Sequence, residues 1–191
     1  MTEQKKTFGN LIAEVNKILT KDAKSICESI VGYKQKPIKT PSAIKLEVFD
    51  KVVPFNEVPQ NDTEIKKALY SQRGVYIFLI TSACARDKNF NSVYYGAKLN
   101  DTSISWFNPG DILYVGKAKS FLTRMNQHFS VASTYNHTGS LKILSPQREV
   151  LIGHFTVYAF CIKSDYKNYY DMIASAVESV LREELKPLVG I

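Results

Sequence analysis

Apolar residues recur along this chain with two different periods. From Phe8 to Val31, Leu11, Ile12, Val15, Ile18 and Leu19 return every three or four residues, followed by Ile26 and Ile30. That spacing predicts an amphipathic helix, with Gly32 expected to stop it. A Lys/Pro stretch follows, Tyr33 to Pro41. Pro37 and Pro41 oppose regular helix there, and Lys34, Lys36 and Lys39 make it basic, so it reads as a solvated linker. Ala43 to Val53 alternates, with Ile44, Leu46 and Val48 on one side, which predicts one or two strands. Pro54 to Pro59 reads as loop. Asp62 or Thr63 is placed to cap a short helix through Tyr70.

After Arg73 the pattern changes. Gly74 to Ile80 is almost wholly apolar, as a central strand buried on both faces should be. Thr81 to Pro109 is polar, rich in Asn and Ser, and carries Tyr94, Tyr95, Trp106 and Phe107. Asp111 to Gly116 predicts a second short strand. Ser120 can cap a helix running to about Phe129. Ser130 to Pro146 reads as loop and Val150 to Ile162 as a third strand. Asn168 to Lys186 predicts a helix whose apolar side is Met172, Ile173, Ala176, Val177, Val180, Leu181 and Leu185, ended by Pro187.

Composition narrows the class. With 191 residues, 45% apolar and 23% charged, the chain suits one globular domain with a real core. The net charge of +7 attracts polyanions, so nucleic acid and anionic membrane are both candidate partners. A basic protein with no such partner would carry the same charge. The longest apolar run, Val75 to Ile80, is strand length and far below the ~18 residues of a membrane span. Met1 to Lys6 leads into an amphipathic segment, with no secretory pattern. Cys27, Cys84 and Cys161 are odd in number and far apart, with no metal-binding spacing. They read as small packing residues in a reducing, cytoplasmic setting.

Candidate chemistry gathers in the second part of the chain. One strand opens Gly74-Val75-Tyr76, and the next closes Tyr114-Val115-Gly116. The helix that follows carries Arg124 and His128, four residues apart and so on one face. Glu178 sits beside the apolar stripe of the last helix, where a lone carboxylate needs a cation or a metal. Each has a structural alternative. A strand tyrosine is often only core, Arg124 could be a solvated arginine, His128 a surface histidine, and Glu178 could pair with Arg182 on its own helix. His137 and His154 lack any such context.

Taken in order, these residues resemble the GIY-YIG nuclease family. Gly74-Val75-Tyr76 is similar to its first motif and Tyr114-Val115-Gly116 to its second, while Arg124 and Glu178 fall where the family places its arginine and its metal-binding glutamate. Tyr114 to Lys119 is close to the form in excision-repair nuclease subunits, and His128 resembles a histidine of restriction-enzyme members. The resemblance implies an α/β (α+β) fold: a small, mainly antiparallel central sheet flanked by helices. Residues 71–191 would be the nuclease domain, with an insertion at about 81–109, and residues 1–70 a helical and strand extension. It also implies a DNA endonuclease of restriction type using Mg²⁺ or Mn²⁺, with homodimers as one route to cutting both strands. Tyr76 would act as base on the attacking water, Arg124 would bind the scissile phosphate, and Tyr114 and His128 would orient water or phosphate or shuttle a proton. Glu178 would hold the metal, and Lys117 and Lys119 would neighbour the phosphates.

Two departures stand out. The family joins its motif strands by a short turn, whereas Thr81 to Pro109 is long. Its aromatics could contact DNA, or the segment could be a hairpin packing on itself. The family also often ends with an asparagine shortly after Lys-Pro, where this chain has Gly190. That departure favours one alternative, a nucleic-acid-binding module without catalysis; a repair or mobile-element nuclease acting on branched DNA is a further one.

Overall fold

The all-apolar run becomes strand β2 (Gly74–Ile80), buried along its whole length. In this computed structural model, which describes residues 2–35, 44–94, 96–130 and 139–190, with first-helix side chains from residue 13 to 31, β2 lies inside a four-stranded sheet. The order is β1-β6-β2-β5, where β1 is Phe49–Phe55, β5 is Ile112–Ala118 and β6 is Phe155–Ile162. Every pairing in it is antiparallel. Period-two alternation divides the side chains into two cores. Tyr76, Phe78, Ile80, Val157, Ala159 and Cys161 face helices α2 (Thr63–Leu69) and α3 (Phe121–Phe129). Val75, Ile77, Leu79, Val115, Tyr158 and Phe160 face α1 (Thr2–Gln35) and α4 (Tyr170–Leu185). The fold is therefore mixed α and β. No helix among the described residues is long and apolar enough to cross a membrane.

Local signals set most element boundaries. Asp62 caps α2 by accepting from the Glu64 and Ile65 amides, and Ser120 caps α3 by accepting from Thr123. β5 and α4 differ from the sequence reading by one or two residues at each end, and four other differences have a clear physical cause. Helix α1 continues through Gly32 to Gln35, because one interior glycine costs only about 1 kcal/mol and cannot stop a long helix. The strand expected from Ala43 begins at Phe49. The Asp22 carboxylate, only 2% exposed, accepts the amides of Glu47 and Val48 at 2.8–2.9 Å and so withdraws them from any ladder. Pro54, expected in a loop, lies within β1, an edge strand where a missing N–H is tolerated. The third strand starts at Phe155 and not Val150, because Glu149–Leu151 forms a 3-10 turn and Gly153 takes a φ of +81°. Most of the Lys/Pro stretch, from residue 36 on, lies outside the described residues, as do Tyr95 and His137.

The first seventy residues share the sheet with the rest: β1 is its edge, and α1 packs along α4. The 81–109 segment forms a small antiparallel pair, β3 (Cys84–Ala85) with β4 (Trp106–Phe107), and it does not pack on itself alone. Phe90 and Phe107 are fully buried in the main core, their rings 5.6 Å apart. The buried Arg148 guanidinium donates to the carbonyls of Phe90, Ala97 and Leu141, tying the segment down. Trp106 and Tyr94 stay exposed. The three cysteines are buried free thiols, as packing residues should be.

Replacing Asp22 with alanine leaves two amides at positions 47 and 48 without their acceptor. Stability should fall by roughly 2–4 kcal/mol, read as a lower urea midpoint at unchanged slope. An unchanged midpoint would show that water replaces the carboxylate at no cost.

Candidate active site

Antiparallel register places Tyr76 of β2 opposite Gly116 of β5. An added Cβ on Gly116 would stand 2.4 Å from the Tyr76 hydroxyl oxygen and 2.7 Å from the Tyr114 ring. Glycine is thus the residue that lets both tyrosines lie over β5. Their rings stack with centroids 6.0 Å apart.

Helix α3 supplies the cations and donors that meet them. Arg124 and His128, one turn apart, point down onto the same face of the sheet. Arg124 Nε donates to the Tyr76 hydroxyl at 3.0 Å, and Nη2 donates to the Tyr114 hydroxyl at 3.3 Å and to the Gly139 carbonyl at 3.0 Å. Its Nη1 donates to Gln127 Oε1 at 2.8 Å. His128 is fully buried, so it is no surface histidine. Its Nδ1 lies 3.0 Å from the Leu141 amide, and an amide can only donate. Nδ1 must therefore be the acceptor, which assigns the proton to Nε2, 2.8 Å from the Tyr76 oxygen. His128 thus donates to Tyr76 and is held in one tautomer by the Leu141 amide.

Two donors converge on the Tyr76 oxygen, an arrangement that favours phenolate. Burial acts the other way and is the larger effect. It pushes the Tyr76 hydroxyl well above the ordinary phenol value, with Tyr114 and Glu178 adding to the rise and Arg124 opposing it. The phenol of the free protein is protonated at neutral pH.

On the other face, α4 brings Glu178 to the edge of β5. Its carboxylate is 17% exposed, with Oε1 3.3 Å from Arg182 Nε and Oε2 3.7 Å from Lys117 Nζ. The pairing with Arg182 foreseen as the structural alternative is present. Arg182 does more than pair: its guanidinium also donates to the Val115 carbonyl at 2.7 Å and the Gly190 carbonyl at 3.1 Å. Leu188 and Val189 donate to Ile112 and Leu113, so the C-terminal segment and Arg182 cover the outer edge of β5 as far as Val115. Beyond that point the edge opens into a cleft of about 440 Å³, lined by Tyr114, Lys117, Lys119, Arg124, Gln127 and Glu178 among others. Gly190 has its own structural cause: φ is +73°, and a Cβ there would lie 2.9 Å from the Tyr114 ring.

The expected residues are therefore brought together, with one exception of depth. Tyr76 is fully buried and lies behind Arg124 and Tyr114, which form the wall of the cleft. Lys117 hydrogen-bonds Ser175 at 2.7 Å beside Glu178, and Lys119 pairs with Asp171. His154 contacts Ser82, away from the cleft. Sequence reasoning missed Gln127, Arg182 as a clamp, and the 139–141 backbone. Gln127 was recoverable from its i+3 spacing to Arg124; the backbone acceptors carry no sequence signal. Among the described residues, no three His, Cys, Asp or Glu side chains gather as a metal cage, and Glu178 is the one carboxylate lining the cleft. No protein-family model matches the chain, and neither a curated protein nor a solved structure does.

Gly116→Ala should displace the Tyr76 hydroxyl and lower stability by roughly 1–3 kcal/mol through overpacking. Thermal melts check the stability, and a two-dimensional NMR spectrum of the histidine rings checks the loss of the His128 contact. A His128 resonance unchanged from wild type would refute the close approach.

Proposed function

We propose that this protein is a divalent-metal-dependent endonuclease that hydrolyses DNA phosphodiesters by GIY-YIG-type chemistry, sequence-specific in the manner of a restriction enzyme. The observation that carries this reading is the cleft at the open edge of β5. Arg124, tied to both motif tyrosines, and Glu178 approach it there from opposite faces of the sheet. A cleft lined by Arg124, Lys117 and Lys119 suits a phosphate, and one carboxylate beside them suits a hard cation.

The donor set fits Mg²⁺ or Mn²⁺. Such ions need only one or two carboxylates and take water and phosphate oxygens for the rest. Glu178 would hold the ion, with Lys117 and Arg182 giving way from contacts of 3.7 and 3.3 Å. When bound, the ion supplies charge neutralisation at the phosphate and a more acidic water.

The protein's own groups do the rest. Arg124 offers its planar fork to the scissile phosphate. In doing so it leaves the Tyr76 hydroxyl, which uncovers that oxygen to the cleft while His128 still holds it. Tyr76 would first release its phenolic proton to solvent through the opened cleft, and the phenolate then accepts the proton of the attacking water. Because burial raises this phenol, opening it to water, with positive charge nearby when an ion is bound, would bring it into use. Tyr114 orients the phosphate, and Lys119 neutralises its neighbour. A pair of protomers is the simplest means of cutting both strands.

A binding module without hydrolysis is favoured by two observations: Glu178 already sits between two cations, and Tyr76 is covered. Plasmid cleavage separates the two. Wild type with Mg²⁺ or Mn²⁺ should give discrete fragments, and Glu178→Ala and Tyr76→Phe should each slow cleavage by roughly 10²-fold or more. The wild-type rate should climb steadily from pH 6 to 9, because the base works deprotonated and its pKa is raised. DNA binding with no cleavage in either metal would establish the binding module and end the enzyme reading.

A further inference from the structure

The sheet register gathers a second set of cations. Gly74 lies opposite both Ala118 and Cys161, so the residue before β2 and those after β5 and β6 emerge at the same end of the sheet. Arg73, Lys119 and Lys167 line a depression of about 350 Å³ there, beside the first turn of α4, with Tyr169, Tyr170 and Asp171. Lys119 lines this depression and the candidate active cleft alike. The two are thus joined through one side chain. Along the joined path stand Arg73, Lys117, Lys119, Arg124 and Lys167, opposed by only Glu178 and Asp171.

The opposing charges here are weak. Asp171 meets Lys119 at 3.2 Å, but both side chains are about 70% exposed. Such a pair gains little in water and yields readily to a phosphate. Arg73 and Lys167 make no ion pair among the described residues. The Arg73 guanidinium rests 5.8 Å from the centre of the Tyr170 ring, which keeps it at the surface without neutralising it. Fold stability gives no reason to gather two unpaired cations, Arg73 and Lys167, with the weakly paired Lys119. A chain of phosphates does.

We propose that Arg73, Lys119 and Lys167 carry the sugar-phosphate backbone of a DNA strand as it leaves the cleft of Tyr114, Arg124 and Glu178. The proposal rests on the nuclease reading and extends it: contact would span several phosphates to one side of the scissile bond, and these contacts would set affinity rather than sequence choice.

Binding of a fluorescein-labelled duplex by the full chain, without divalent metal, tests it by anisotropy over a KCl series. Arg73→Gln/Lys167→Gln should flatten the slope of log K against log salt by about 2 and weaken binding roughly 10-fold or more at low salt. Lys167→Glu, at an exposed residue, should weaken it too and guards against a folding defect at Arg73. Lys66→Gln/Lys67→Gln on α2 should leave both quantities unchanged. Wild-type slope in both path variants, with wild-type protein binding DNA, would overturn the path and spare the nuclease reading. Wild type failing to bind DNA, or binding phosphatidylserine vesicles in its place, would overturn both.

Discussion

The Tyr76 hydroxyl is where the separate elements of this molecule are forced to agree. Strand β2 supplies the ring, α3 supplies Arg124 and His128, and the 139–141 segment fixes both of those side chains through Gly139 and Leu141. A fully buried phenol, imidazole and half-buried guanidinium would each be costly alone. Together they satisfy one another, with Arg124 and His128 both donating to the phenol oxygen. Gly116 is part of the same constraint, since any side chain there would occupy the space of the phenol oxygen.

The sheet edge turns this buried junction into an accessible site. β5 is an edge strand, and edges left open invite unwanted pairing. Here the C-terminal segment and Arg182 cover it up to Val115, and the cleft begins where that cover ends. Helices on opposite faces then contribute to one opening: Arg124 from α3 and Glu178 from α4. The long segment between the motif strands belongs to the same scheme. It packs Phe90 and Phe107 into the core and binds the C-terminal segment through Leu99 and Asn100, so it steadies the cover of β5.

Much of the fold was legible in the residues. The apolar run of β2, the capping residues Asp62 and Ser120, and most of the stripe of α4 are local signals that held, although Met172, expected on that stripe, is exposed and Tyr170 and Ala174 are buried in its place. The misplaced boundaries share a cause. Residues 44–48 alternate like a strand, yet a carboxylate twenty-five positions earlier takes their amides. Pro54 is compatible with a strand only because β1 turned out to be an edge. Neither fact is local.

The same division holds at the site. The order of Tyr76, Tyr114, Arg124 and Glu178, and the family resemblance it carries, singled out residues that the structure brings to one cleft or directly behind it. The tautomer of His128, the depth of Tyr76 behind Arg124, the clamp on Arg182 and the gathering of Arg73 with Lys119 and Lys167 were decided by the tertiary structure alone. Each depends on a register or a backbone group supplied by a residue far away in sequence, and backbone groups are the same whatever the side chain.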